Sequence, residues 1–334
     1  MTQTAPAPAG DEAFVSLTEP FRRELTAHCY RMLGSVDDAE ELVQETYLRA
    51  WRSYAGFEGR SSVRTWLYRI ATNACLNALR GAHSRALPSG LGAPAEDPDA
   101  PPAPAGADVR WIQAIPDALA GTGADDPAAI VGGRASLRLA LIASLQHLPG
   151  RQRAVLILRD VMNLPAPEVA EILGTSTAAV KSALQRARGR MEDAAPAPDE
   201  LTEPDAPGAR ALLDQYMHAF EAADGQALER ALRTDAALEM TGTTTWFAGR
   251  RTCLTYIRRF LGAPGDYRMV AIGANGQPAA AAYRRTAAGN LEAFAVVVLT
   301  VTTSGIQRIS LFGDPASFGR FGLSPALEPA DESA

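Results

Sequence analysis

Residues 164–191 read LPAPEVAEILGTSTAAVKSALQRARGRM. Between Glu168 and Leu173 the apolar residues Val169, Ile172 and Leu173 fall at helical spacing. Gly174 follows, where a helix C-terminus favours a residue without a Cβ. Thr175-Ser176-Thr177 then offers an N-cap hydroxyl for a second helix. That helix carries Val180, Leu184, Ala187 and Met191 on one stripe. Its other side holds Lys181, Ser182, Gln185, Arg186, Arg188 and Arg190, with no acid before Glu192. Two short helices joined by a glycine-bearing turn, the second basic outward, form the pattern of a helix-turn-helix whose second helix enters the DNA major groove. The plain alternative is an amphipathic hairpin with a solvated basic face.

On either side of this hairpin the chain changes character. Its 334 residues leave room for two or three domains, and its net charge of −6 is unusual for a DNA binder. The acid is concentrated in two places. From Ala86 to Ile130 seven carboxylates face Arg110 alone, and six prolines lie between Leu87 and Asp108, too many for regular structure. Residues 194–207 repeat that signature with four prolines, four acids and no base. Residues 136–193, by contrast, carry eight Arg/Lys against five acids. The expected organisation is a disordered lead (1–13), a first helical domain (14–85), a Pro/acid-rich linker (86–133), the helix-turn-helix domain (134–193), a second linker (194–207) and a third domain (208–330).

Cys29, Cys75 and Cys253 are odd in number and far apart, which argues against a disulfide framework and for a reducing, cytoplasmic setting. No CxxC or Cys/His spacing points to a metal, and no cofactor is expected. No run approaches the ~20 apolar residues of a membrane span, so no membrane partner is expected. A nucleophile–base constellation and a Gly-rich phosphate loop are both missing, so no catalytic residue is named and the expectation is a protein that is not an enzyme.

Phe14–Leu33 has helical spacing through Phe21, Leu25, His28/Cys29 and Met32, with His28 and Cys29 read as packing residues. Ser35 or Asp37 caps a helix over Asp37–Tyr54. Its first part holds Asp37, Asp38, Glu40, Glu41 and Glu45 and no base, while Arg49 and Arg52 come later. Acids at an N-terminus suit the helix dipole, but five exceed what capping requires, so a basic docking partner is the competing account. The loop FEGRSSV (57–63) leads into a helix over Arg64–Arg80, with Leu67, Ile70, Ala71, Ala74 and Ala78 on its buried stripe. Beside that stripe run Trp66, Arg69, Asn73, Asn77 and Arg80. An exposed Trp among Arg and Asn suits single-stranded nucleic acid, by stacking, phosphate contact and base-edge reading. The competing account is a Trp half-buried in a helical bundle.

Three motifs in order, DDAEELVQETYLRAW, FEGRSSVRTWLYRIATNACLNALR and TAAVKSALQRARGRM, resemble regions 2 and 4 of bacterial RNA polymerase sigma factors of the extracytoplasmic-function (ECF) group. The resemblance implies that Asp37, Asp38, Glu41, Glu45, Leu48 and Trp51 dock on the β′ clamp of core RNA polymerase, and that region 4 meets the β flap. It implies that Phe57, Arg60, Ser61, Ser62, Arg64, Trp66, Arg69, Asn73, Asn77 and Arg80 engage the opened minus-ten element of promoter DNA. Ser176, Thr177, Lys181, Ser182, Gln185 and Arg186 would read the minus-thirty-five element. An anti-sigma factor is a further partner that the family implies. VRWIQAIPDAL (109–119) resembles a segment of ECF proteins that carry an extra C-terminal domain, and Trp111, Ile112 and Ile115 are its expected docking anchors.

The third domain reads as helices over Gly208–Ala222, Gln226–Arg233 and Thr252–Leu261, with a short strand at Ala236–Met240. Strands over Tyr267–Ile272, Ala279–Arg285, Leu291–Thr302 and Ile306–Phe312 follow, separated by Gly/Asn/Ser turns. Helices followed by a four-stranded meander give an α+β cone. The layout resembles a SnoaL-like domain of the NTF2-like superfamily, which implies a pocket for a small ligand, with Tyr216, His218, Asp235 and Trp246 as its candidate residues. Asp235 as a simple turn cap is the competing account. The expected fold class is therefore two all-α domains, the second with a helix-turn-helix, followed by an NTF2-like cone. The expected function is a sigma factor that binds core polymerase and directs promoter recognition and transcription initiation, with the cone as an autoregulatory or ligand-sensing module. A stand-alone helix-turn-helix regulator with a ligand-binding domain is the alternative; it leaves Trp66, the 57–63 loop and the acidic cluster without a role.

Overall fold

Pro20 breaks the first expected helix in two. In the computed structural model, which describes residues 9–81, 84–120, 127–192 and 201–327, α1 (Ala9–Thr18) runs into a 3-10 turn at Glu19–Phe21, and α2 (Arg22–Leu33) starts afresh. Proline donates no backbone N–H, so it is tolerated in the first turn of a segment and not within one. The end of the lead expected to be disordered is thus helical from Ala9; residues 1–8 lie outside the described residues. The chain divides into two compact units, one from residues 1–84, 119–137 and 144–195, the second from 85–118, 138–143 and 196–334.

The first unit is helical. Gly34, at φ +69°, closes α2, and the Ser35 hydroxyl accepts from the Asp38 N–H (3.1 Å) to open α3 (Val36–Ser53). Ser62 caps α4 (Val63–Ala78) in the same way through Thr65 N–H (3.0 Å). Next come α5 (Pro127–Ala135), α6 (Leu139–Gln146), which the division between units cuts, and α7 (Gly150–Leu156), which continues as a π turn over Ile157–Val161. The hairpin is α8 (Ala166–Leu173) and α9 (Thr177–Glu192). Gly174 sits at φ +57°, where an L residue is strained, and Thr175 N–H reaches back to Ala170 O at 2.9 Å. The Ser176 hydroxyl accepts from Ala179 N–H (3.2 Å), the cap expected for the second helix.

These helices share one core. Leu25, Tyr30, Met32, Val36, Leu67 and Ala71 are buried, as are Val155, Ile157, Val169, Ile172, Val180 and Ala187. α4 packs on α8, and α2 and α4 both meet α7. Buried cations bind the assembly. Arg153, 2% exposed, donates to Met32 O, to Gln146 Oε1 (2.8 Å) and to the carbonyls of Gln146 and Leu148. Arg31 donates to Ser136 Oγ at 2.7 Å. Burial lowers both guanidinium pKa values to about 10.

The second unit is built on α10 (Pro207–Glu221), α11 (Gly225–Ala231), β3 (Leu232–Met240), β4 (Trp246–Ala248), α12 (Arg250–Arg258), β5 (Tyr267–Ala274), β6 (Gln277–Arg285), β7 (Leu291–Thr302), β8 (Gly305–Phe312) and β9 (Ala326–Leu327). The sheet order is β4-β3-β8-β7-β6-β5, with β9 added to β7. The meander β5 to β8 is antiparallel as expected, whereas β3 runs parallel to β8, with Leu238 opposite Ile309. β3 begins at Leu232, so the helix expected to reach Arg233 stops short of it. Tyr216, Leu228, Leu238, Phe247, Val297, Leu299 and Ile309 form the core between helices and sheet.

The segment expected as a free tether is different in its first half. Residues 85–118 are held on this unit. β1 (Arg85–Ala86) and β2 (Arg110–Trp111) pair as a parallel ribbon. Ala95 N–H donates to Trp246 O (2.8 Å), the Trp246 indole to Gly92 O (2.8 Å) and Arg259 to Pro98 O (2.8 Å). Ile115 and Asn275 exchange two hydrogen bonds. Ile112 and Ile115 are buried and Trp111 is half-buried, the anchoring expected of them. Prolines forbid a ladder but leave every carbonyl free to accept, so a proline-rich strap can lie along a folded surface.

Candidate nucleic-acid interface

On α9, Ser176, Lys181, Ser182, Gln185 and Arg186 are exposed and Thr177 is half-exposed, and Arg186 donates to Ser182 Oγ at 2.7 Å. The outward face is therefore narrower than sequence spacing indicates. Arg188 forms a two-pronged ion pair with Asp160 (2.7 and 2.8 Å), and Arg190 donates to Gln152 (3.3 Å). Those two cations hold the helix to its support, and Lys181, Ser182, Gln185 and Arg186 are the group left to meet a groove.

The α3 carboxylates fall where their spacing puts them. Asp37 and Glu41 are exposed, Asp38 and Glu45 are half-exposed, and Glu45 pairs with Arg49 at 2.5 Å. Leu48 and Trp51 stand out at 55% and 51% exposure. With Phe14, Val15, Arg22, Gln44 and Tyr47 they line a groove of about 520 Å³. The contribution of α1 to this groove escaped the sequence reading, because Phe14 and Val15 lie almost thirty residues before Gln44 and only packing brings them beside it.

α4 divides the expected DNA-facing set. Arg69, Asn73, Asn77 and Arg80 form an exposed row. Trp66 is only 5% exposed and lies against Phe57 at 4.6 Å between ring centroids, so it fills the bundle and is not the exposed stacking ring. Arg64 is committed to Glu24 (Nε–Oε1 2.6 Å), with its guanidinium over Tyr68. Thr65 donates to Glu168 Oε1 at 2.7 Å. In the loop, Arg60 is exposed and paired with Glu58, Ser61 is half-exposed, and Ser62 is the helix cap. His28 is fully buried, within 2.9 Å of Thr72 Oγ1 and edge-on to Tyr68; burial, with Arg31 and Arg64 adding to it, brings its pKa down to about 3. It is a neutral packing residue.

The cone holds a cavity of about 160 Å³ walled by Tyr216, Phe220, Met240, Tyr256, Tyr267, Met269 and Phe294, among other apolar side chains. Of the four expected pocket residues only Tyr216 lines it. Asp235 is exposed and paired with Arg233 (2.8 Å), whose hydrogen bond holds the carboxyl pKa down; it lies on the part of β3 outside the core. His218 points to solvent on α10, and Trp246 is taken up by Gly92. The wall has no carboxylate and no imidazole. Among the described residues no group of three His, Cys, Asp or Glu side chains is placed to hold a metal, and no helix is long and apolar enough to cross a membrane.

Residues 17–85 match the family model Sigma-70 region 2, and residues 138–191 match Sigma-70, region 4. The ECF RNA polymerase sigma factor SigG of Mycobacterium tuberculosis (strain H37Rv) is 48% identical over 317 residues, covering 94% of this chain and 85% of that protein. The chain belongs to the ECF RNA polymerase sigma factors. SigJ of the same strain, also an ECF sigma factor, is 33% identical over 175 residues, 52% of this chain and 48% of its own. The crystal structure of Mycobacterium tuberculosis SigJ superposes with a TM-score of 0.59 at 22% identity, covering 93% of this chain and 100% of that one, which shows a common fold. As an ECF sigma factor, the protein is a promoter-directing subunit for transcription initiation. Its fold is helical region 2 and region 4 modules followed by an α+β sheet domain.

Proposed function

We propose that α3 and the groove at Leu48 and Trp51 dock on the β′ clamp of core polymerase, that the α4 row and the 57–62 loop engage the minus-ten element, and that α9 reads the minus-thirty-five element while region 4 meets the β flap. The observation that carries this is the α9 group. Lys181, Ser182, Gln185 and Arg186 are presented on a helix whose other cations are already tied down. Paired Arg/Lys and amide side chains on a major-groove helix are the base-reading set. Asp37, Asp38, Glu41 and Glu45 supply the charge for a basic docking surface, and the two exposed apolar side chains beside them supply the buried contact. The protein performs no covalent step in this reading. Run-off transcription with core polymerase tests it: initiation should require both α9 and the α3 face, and a factor that binds promoter DNA yet starts no transcript is the stand-alone regulator instead.

A second reading rests on the packing of α4 against α8. The two promoter elements are centred about 25 base pairs apart, or ~85 Å at about 3.4 Å per step. Readers joined through one core cannot span that distance, so this is a closed state that polymerase must open. The cone then acts as a built-in regulator, because the chain that follows region 2 is strapped to it through residues 85–118. Comparing initiation by the full chain and by a chain ending near residue 195 tests this; equal output from both argues against it.

A further inference from the structure

Six of the fourteen side chains around the cavity of about 160 Å³ inside the cone are aromatic, two are methionines and none is charged. α10 brings Tyr216 and Phe220, α12 brings Tyr256, and β5 and β7 bring Tyr267, Met269 and Phe294. Tyr267 Oη donates to Phe260 O at 2.9 Å, so that phenol is satisfied within the protein. Tyr216 is not. It belongs to the wall, it is 1% exposed, and its hydroxyl has no hydrogen-bond partner among the described residues. Burial raises the pKa of this phenol, so it stays a neutral O–H donor. A buried hydroxyl without a partner costs free energy, which an acceptor entering the cavity gives back. The Tyr256 hydroxyl also lacks a partner, but that ring lies 5.0 Å from Phe260, which at 45% exposure marks the mouth of the cavity. Water fills such a space poorly: several molecules would fit, each wants two to four polar partners, and beyond Tyr267 the wall offers two hydroxyls.

We propose that the cavity binds a neutral, single-ring aromatic molecule carrying a carbonyl group, whose oxygen accepts a hydrogen bond from Tyr216 Oη. Volume sets the size of the ligand, since an apolar cavity of about 150 Å³ holds benzene. Aromatic neighbours and methionine sulfur favour an aromatic ring over an aliphatic one. With no cation in the wall, a carboxylate or phosphate would give up its hydration for nothing in return. The Tyr216 phenol supplies the directional contact that fixes which way the ring enters. The role of the cone as a built-in regulator gives such binding a consequence, but the binding itself requires neither polymerase nor DNA and stands or falls apart from the promoter reading.

Calorimetry and methyl NMR on the full-length protein test the proposal, with acetophenone as the probe and ethylbenzene, cyclohexyl methyl ketone and benzoate as comparisons. Acetophenone should bind about fivefold or more tighter than ethylbenzene, the scale of one hydrogen bond. It should also bind tighter than the aliphatic ketone, and benzoate should not compete with it. Its ring current should shift the methyl signals of Met240 and Met269, which line the cavity, and leave those of Met32 and Met162 in place. Tyr216→Phe removes an oxygen that bonds nothing in the protein, so the fold is kept. It should bring acetophenone down to the affinity of ethylbenzene and leave ethylbenzene unchanged, whereas Tyr256→Phe should keep the preference for the ketone. No saturable shift of Met240 and Met269 at millimolar acetophenone, benzoate binding as tightly as acetophenone, or a ketone preference that survives in Y216F overturns the proposal.

Discussion

Thr65, at the start of the region 2 helix, donates its hydroxyl proton to Glu168 Oε1 at 2.7 Å, and so ties the helix expected at the minus-ten element to the first helix of the DNA-reading hairpin. The same Thr65 supplies the N–H that Ser62 caps, so one residue both opens α4 and closes the two modules on each other. Glu168→Ala removes this tie from a site that is only half-exposed. The closed state should lose about 1 kcal/mol, so that initiation at limiting core polymerase rises about fivefold. Small-angle scattering of the variant should show a larger radius of gyration. An unchanged radius and unchanged output would leave the contact without a role in closure.

His28 is neutral in the fold, its pKa lowered to about 3 by burial and by two nearby guanidinium groups, against an ordinary 6.5. Between those values the unfolded chain binds a proton that the folded chain does not. Stability is therefore full above pH 6.5 and falls as pH drops through the window toward 3. From pH 6.5 to pH 5 the loss should come to about 2 kcal/mol, at ~1.4 kcal/mol per unit. Thermal melts of wild type and of His28→Asn between pH 7 and pH 5 measure it: the wild type should lose more, and parallel curves would contradict the assignment.

The polymerase face separates binding from folding. Trp51 and Leu48 are about half-exposed, so Trp51→Ala should leave the melting temperature within a degree or two. Its affinity for core polymerase should fall by about 2 kcal/mol, roughly thirtyfold, as expected of an aromatic anchor. Glu41→Lys reverses an exposed charge and should act mainly on the association rate and on its salt dependence. A competition assay for core polymerase distinguishes these effects.

On α9, Gln185→Ala and Arg186→Ala should each cost about 1–3 kcal/mol of discrimination at the minus-thirty-five element, without altering polymerase binding. Arg188→Ala should behave differently. That side chain pairs with Asp160, so its loss loosens the hairpin and lowers stability rather than changing base preference. Measuring initiation across promoter variants for the three substitutions tells reader from support.

What could be read from the sequence was what the chain sets locally. The Ser35 and Ser176 caps, Gly174, and the 3.6- and two-residue apolar periods each depend on residues within a few positions of one another; the Ser62 cap is equally local but reads in the sequence only as part of a DNA-facing loop. What could not be read depends on distant partners. Trp66 shares its stripe with Arg69 and Asn73, yet Phe57 covers it. The early start of β3 is made by its pairing with β8, some seventy residues on, and is broken by a bulge between Leu232 and Ala237. His218 and Asp235 carry polar chemistry near a pocket in sequence but lie outside its wall. The six prolines announced a tether because they exclude a ladder; that their carbonyls and neighbours would lie along the cone depended on Trp246, Arg259 and Asn275, more than a hundred residues away.

Glu239 fastens that strap from inside the sheet. Only 1% exposed, its carboxylate accepts from Ser89 Oγ (2.7 Å), from Ser89 N–H (3.3 Å) and from Ser310 Oγ (2.7 Å), and Arg308 lies 3.3 Å away. Two of these contacts come from β8, and the Ser89 pair reaches out to the strap. Glu239→Gln keeps the volume and one acceptor oxygen but gives up the charge that strengthens each bond. It should cost about 1–3 kcal/mol and speed proteolysis within residues 85–118. Ser89→Ala removes the strap's side-chain contact alone and should give faster proteolysis with little change in the melting temperature of the cone. If Ser89→Ala left the cleavage rate unchanged, the strap would be held by Trp246 and Asn275 without help from the buried carboxylate, and Glu239 would belong to the sheet alone.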